Sequence, residues 1–242
     1  MYKLLEKLKN KNNSAKEHEG ATVVFLGDSV THGCFEVFFD GKKYHPTFDE
    51  EHSYTAIFRR MVKTLYPAAQ LNIVNSGISG NTAPKGLARL ARDVLAHRPD
   101  LAVVCFGLND CVAGPEGIET YKTALREIVK QILATGADVI VMTPSGTTDS
   151  VHELLRTERE RTDAGRLAAF TKDGTVDRYM DAARTVAAEC GVALVDCYAI
   201  WQKFAAAGVE INNILSNKIN HPTRELHLVF AYELLREVFS HA

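Results

Sequence analysis

Five short, almost unbroken apolar runs constrain this chain more than any other feature: residues 23–26, 71–75, 101–106, 138–142 and 192–196. Each has strand length and lacks the polar alternation of a sheet with one wet face, so all five read as strands covered on both sides. Between them lie segments with apolar residues at helical spacing, such as residues 54–65, with Ile57, Phe58, Met61, Val62 and Leu65, and residues 121–133. That alternation predicts an α/β fold, a three-layer α/β/α sandwich around a five-stranded parallel sheet. Right-handed crossovers leave few topologies, and the flavodoxin-like strand order 2-1-3-4-5 is the one adopted here. Further helices are expected from the turn after the second strand to about residue 97, and over residues 153–166, 176–190 and 222–239. Pro222 suits a first helical position. Residues 1–20, rich in Lys, Glu and Asn, read as a charged leader with a frayed start and one or two helical turns at residues 2–9, and residues 21–242 as one domain.

In an open α/β sheet the ligand crevice lies beyond the carboxyl ends of the strands. The residues at those ends are therefore the ones to search for chemistry. The first strand exits into Gly27-Asp28-Ser29, the second into Ser79-Gly80-Asn81-Thr82, and the third into Gly107-Leu108-Asn109-Asp110. Acyl transfer needs a nucleophile, a base and preorganised donors for the oxyanion. Ser29 can supply the hydroxyl, and the backbone N–H groups of Ser29 and Gly80 with the Asn109 amide can supply the donors. His221, in a loop before the last helix, can return to the same edge as the base. Each block alone also has a plain reading: Asp28 and Ser29 serve equally well as helix caps, and Asn109 as a turn former. Asp28 reads as a brace for the serine turn.

Taken in order, Gly27-Asp28-Ser29, Ser79-Gly80-Asn81-Thr82, Gly107-Leu108-Asn109-Asp110 and Asn220-His221-Pro222 resemble the four blocks of the SGNH/GDSL hydrolase superfamily, over residues 22–239. The resemblance implies a flavodoxin-like fold and an esterase or lipase-like activity without metal or organic cofactor. It also implies Ser29 and His221 as catalytic residues, with Ser29, Gly80 and Asn109 forming the oxyanion hole. One position departs from the pattern: the family's aspartate three residues before the histidine is Lys218 here. A neutral acceptor is then expected to orient His221, either the Asn217 amide oxygen or a backbone carbonyl of residues 216–218, with Glu225 as the charged alternative. The expected substrates are short-chain carboxylic esters, O-acetyl groups of carbohydrates among them. Lysophospholipids and acyl thioesters remain open, as does a catalytically weakened binding domain.

Composition narrows the partners. A net charge of −2 with signs interspersed leaves no electrostatic footprint for nucleic acid. No stretch has the length of a membrane span, and residues 1–20 lack an apolar signal region, so the chain is expected to be soluble and cytoplasmic. Five cysteines without Cys-x-x-Cys spacing read as free buried thiols. His45, Asp49, Glu50, Glu51 and His52 match no defined metal motif, and isolated histidines such as His97, His152 and His241 read as surface residues. His32 and His227 carry no assigned role. The segment 31–53, aromatic but without a period, is expected to be a hairpin or ordered loop. It would act as a lid or a subunit contact, which leaves a homo-oligomer open.

Overall fold

The computed structural model describes residues 1–240; His241 lies outside the described residues. Its strands are β1 (Ala21–Gly27), β2 (Cys34–Phe39), β3 (Tyr44–Phe48), β4 (Leu71–Gly77), β5 (Leu101–Cys105), β6 (Asp138–Thr143) and β7 (Ala193–Asp196). Five of them form one sheet in the order β4-β1-β5-β6-β7, every pairing parallel. Numbered among themselves these are 2-1-3-4-5, the order expected. Phe25 pairs with Asn75 on one side and Val103 on the other, so β1 lies between β4 and β5 and its exit is flanked by theirs.

The helices are α1 (Lys3–Asn13), α2 (Ser29–His32), α3 (Tyr54–Leu65), α4 (Ala83–Ala88), α5 (Leu90–Asp93), α6 (Ile118–Ala134), α7 (Glu158–Lys172), α8 (Thr175–Cys190), α9 (Cys197–Ala206) and α10 (His227–Phe239). Successive strand residues point to opposite faces, which divides the core into two layers. Val23, Phe25, Val103 and Ile140 pack with α1, α3, α9 and α10, whereas Val24, Leu26, Val104 and Val141 pack with α4, α6 and α8. Among the described residues no helix is long and apolar enough to cross a membrane.

The helical turn or two expected over residues 2–9 is helix α1, which runs on to Asn13 and buries Leu4, Leu5 and Leu8 in the first layer. Three other expectations are corrected. The helix expected to run to about residue 97 is broken into α4, α5 and a turn of 3-10 helix, because Arg89 turns its guanidinium inward. There it donates to the Ser76 carbonyl at 2.7 Å and the Gly27 carbonyl at 3.0 Å. The helix over residues 153–166 starts instead at Glu158, where Thr157 and Glu160 form a capping box. The last helix starts at His227, five residues later than expected. Pro222 is bridged to Leu215 and Ser216 N–H donates to the His221 carbonyl at 2.7 Å, so residues 215–222 close on themselves as a loop.

Segment 31–53 is a hairpin of β2 and β3 that leaves the main sheet. Its tight turn at Asp40-Gly41 needs Gly41 at φ 96°. The Asp40 carboxylate accepts the Lys42 and Lys43 N–H groups at 2.8 and 2.9 Å, an Asx-type closure of the turn.

Candidate active site

Ser29 opens the single-turn helix α2 directly after β1. Asp28 caps that helix, its carboxylate accepting the Val30 N–H at 3.0 Å. Gly27 keeps the exit tight, since a Cβ there would lie 2.8 Å from the Cys105 carbonyl oxygen. Capping and nucleophile placement are therefore one arrangement: the cap turns the chain, and the turn aims the hydroxyl. Burial pushes the Asp28 carboxyl up to about 7, against the pull of its Val30 hydrogen bond.

His221 comes from the closed loop before α10 and is 5% exposed. Its Nε2 lies 2.9 Å from Ser29 Oγ and its Nδ1 lies 2.9 Å from the Phe35 carbonyl oxygen. A carbonyl oxygen only accepts, so Nδ1 carries the ring proton and Nε2 presents its lone pair to the serine hydroxyl. That is the tautomer a general base needs. Burial lowers the imidazole to about 4, opposed by the Phe35 hydrogen bond and the Glu36 charge, so the ring is neutral at neutral pH.

The expected orienting groups are thereby corrected. The Asn217 amide oxygen accepts the Ile219, Asn220 and His221 backbone N–H groups at 3.0, 2.9 and 2.9 Å, so it shapes the loop that carries the histidine. The ring's acceptor lies outside residues 216–218, on strand β2. Glu225 is exposed and bonds within its own turn. Lys218 sits at φ 60° in the loop. Sequence reasoning missed Phe35 because a backbone carbonyl has no residue signature. Lys218 in place of a carboxylate signalled only that the acceptor had to come from elsewhere.

Asn109 follows β5 and donates through Nδ2 to the Asn81 carbonyl at 2.9 Å and toward Asp28 Oδ2 at 3.4 Å. Asp110 ties the turn down by accepting the Ala83 and Gly107 N–H groups at 2.9 and 3.1 Å, and burial raises its carboxyl to about 6. Gly80 adopts φ 76°, a conformation L side chains rarely take. Ser29, Gly80, Asn109, Asn217 and His221 all line one cavity of about 380 Å³. The hairpin supplies Val37, Tyr44 and Pro46 to its lining and α7 supplies Arg159, Asp163 and Phe170, the Tyr44 hydroxyl donating to the Asp163 carboxylate where the two elements meet. Buried Glu160 holds hairpin and helix together, accepting the Phe39 N–H at 2.9 Å.

His45 and His52 each pair with a carboxylate, Asp40 at 2.7 Å and Asp49 at 2.9 Å. Among the described residues no three His, Cys, Asp or Glu side chains gather as metal ligands would. His227 accepts the Tyr54 N–H at 3.0 Å on Nδ1 and packs against the Phe35 ring, with centroids 4.7 Å apart.

The pattern of the GDSL-like lipase/acylhydrolase family matches residues 25–229. An acetylxylan esterase of Geobacillus stearothermophilus is 24% identical over 232 residues, which cover 90% of this chain and 94% of that protein. A thioesterase 1/protease 1/lysophospholipase L1 of Escherichia coli (strain K12) is 32% identical over 97 residues, 37% of this chain and 46% of that protein. Among solved structures, a mutant of a Geobacillus acetyl-xylooligosaccharide esterase superposes with a TM-score of 0.66 at 24% identity, covering 91% of this chain and 95% of that one.

Proposed function

The chain belongs to the GDSL-like lipase/acylhydrolase family and is a carboxylic ester hydrolase, and from that premise we propose that it removes acetyl groups from carbohydrates through a Ser29–His221 acyl-enzyme. The observation that carries the mechanism is the chain of contacts from the Phe35 carbonyl through the His221 ring to Ser29 Oγ, 2.9 Å at each step. Ser29 attacks the ester carbonyl while Nε2 of His221 takes the hydroxyl proton. The backbone N–H groups of Ser29 and Gly80 and the amide of Asn109 receive the oxyanion, each such donor typically being worth about 10²–10³ in rate. Collapse expels the alcohol, protonated from Nε2, and water then repeats the sequence on the acyl-enzyme. Throughout, the Nδ1–H stays on the Phe35 carbonyl, which keeps the tautomer without supplying a counter-charge.

The substrate class rests on similarity of extent and on the shape of the cavity. The acetylxylan esterase matches nearly the whole chain, while the thioesterase/lysophospholipase matches little more than a third of it. Tyr44 and Phe170 contribute aromatic rings, and Arg159 and Asp163 polar groups, to the lining of the cavity that Ser29 shares, with the Tyr44 hydroxyl bonded to Asp163. Apolar faces with a few placed polar groups suit a sugar ring.

Two measurements test this reading: acetate release from acetylated xylo-oligosaccharides, and kcat/KM along a series of p-nitrophenyl esters. The acetyl ester is expected to exceed the octanoyl ester by at least about tenfold, since a pocket fitted to a short acyl group rejects added methylenes at that scale. Preference for the long chain, with no acetate released from the sugar, would replace the substrate class by a lipid or thioester. Absence of turnover on any ester would leave a binding domain.

A further inference from the structure

In the family pattern implied by the sequence, the acceptor for the histidine sits three residues away on the same loop, so chain geometry sets their distance. In this protein the acceptor is on β2 and the ring is on the loop before α10, so their contact depends on how two separate elements are held together. One side chain spans them. Arg224, three residues after His221, donates from Nη1 and Nη2 to the two carboxylate oxygens of Glu36, the residue after Phe35, at 2.6 and 3.1 Å. Its Nε donates to Asp49 Oδ2 at 2.8 Å, just beyond the end of β3. The guanidinium carbon also lies 4.3 Å from the centre of the Phe35 ring, whose other face is supported by His227. Asp49 in turn donates its N–H to the Gly33 carbonyl at 2.8 Å, closing the base of the hairpin. Forked bonds to a carboxylate fix direction as well as distance, which a single point charge does not.

We propose that Arg224 is a positioning residue for His221: its clamp on Glu36, Asp49 and the Phe35 ring holds the Phe35 carbonyl against Nδ1 and so keeps Nε2 aimed at Ser29. The proposal rests on the Ser29–His221 reading above. The groups involved are partly exposed, Arg224 at 30% and Glu36 at 49%, so solvent screens each pair and the clamp adds little to stability. Its loss should therefore appear in turnover and in the state of the ring.

The test is Arg224→Met in protein labelled with 15N-histidine. His221→Ala assigns the ring signals, and kcat, KM and Tm are measured on p-nitrophenyl acetate. Expected are a fall in kcat of about 10- to 100-fold, the cost of a small misplacement of a reacting group, with KM within about twofold and the Nδ1–H signature of His221 lost to a mixture. Adding Lys218→Asp, which tolerates the positive φ there, should recover much of the kcat lost in Arg224→Met, a rescue that a purely structural role would not permit. Arg224→Lys, which keeps charge and stem without the fork, should show the same changes to a smaller extent and serves if the methionine variant does not fold. Wild-type kcat and wild-type ring signals in either folded variant, with Ser29→Ala inactive, would overturn the clamp and leave the mechanism standing. Full activity in Ser29→Ala would overturn the mechanism itself, and the ring signals would still report on the clamp.

Discussion

His221 holds its proton on Nδ1 because the atom facing it can only accept, and that single fact makes a serine–histidine pair workable without a carboxylate bonded to the ring. In a protease triad, replacing the aspartate by its amide costs about 10⁴ in turnover because the wrong tautomer is selected. The Phe35 carbonyl avoids that loss, although the imidazolium formed during attack has no carboxylate bonded to the ring and feels only the Glu36 charge nearby. The pH dependence follows from the ring's surroundings. Burial holds the His221 pKa near 4, below the 6.5 of a free imidazole, so the neutral base persists as pH falls and is lost only on protonation near 4. The acid limb of kcat/KM, which reports the free enzyme, should lie near pH 4 to 5, measurable with an ester whose blank hydrolysis is slow. Asp28 and Asp110, raised by burial to about 7 and about 6, are further groups of the site that titrate in this range, and Asp28→Asn and Asp110→Asn separate them from the histidine. A limb that stays between about pH 6.5 and 7 in both variants would show that His221 titrates as an exposed histidine does.

At the scale of elements, the hairpin of β2 and β3 has two roles in the site: one edge walls the cavity and its first strand carries the acceptor for His221. Its aromatics show no period because they serve different surroundings. Phe35 is fully buried between Arg224 and His227, while Phe38 and Phe48 are exposed at 59% and 46%. The sequence therefore displayed the segment as ordered and close to the site, yet could not display which backbone atom mattered. Helix α1 is the opposite case: a turn or two was expected over residues 2–9, but lysines and asparagines masked its full length and the buried stripe formed by its leucines at positions 4, 5 and 8. Leu8 is fully buried against the first core layer, so Leu8→Ala should cost about 2–5 kcal/mol in chemical denaturation. A change below 0.5 kcal/mol would return residues 1–20 to the status of a leader.

For the whole molecule, the parallel sheet was legible because burial on both faces writes itself into composition: β1, β5 and β6 carry near-continuous apolar runs, and their side chains divide between two layers. Ser29, Gly80 and Asn109 were legible for a related reason, since strand exits in this topology all open on one edge. Arg89 and Arg224 were not legible. Each links elements distant in sequence through backbone or carboxylate oxygens, and nothing local distinguishes such an arginine from one on a solvated face. The molecule thus places a legible nucleophile, oxyanion donors and base within a frame set by contacts that only the fold brings together. The most direct measurement of the central claim is the intact mass of the protein after reaction with an organophosphorus ester, followed by peptide mapping. One adduct per chain, located on Ser29, blocked by Ser29→Ala and slowed by His221→Ala, is the result expected from a serine activated by that histidine. An adduct on another residue, or undiminished ester hydrolysis in Ser29→Ala, would contradict it.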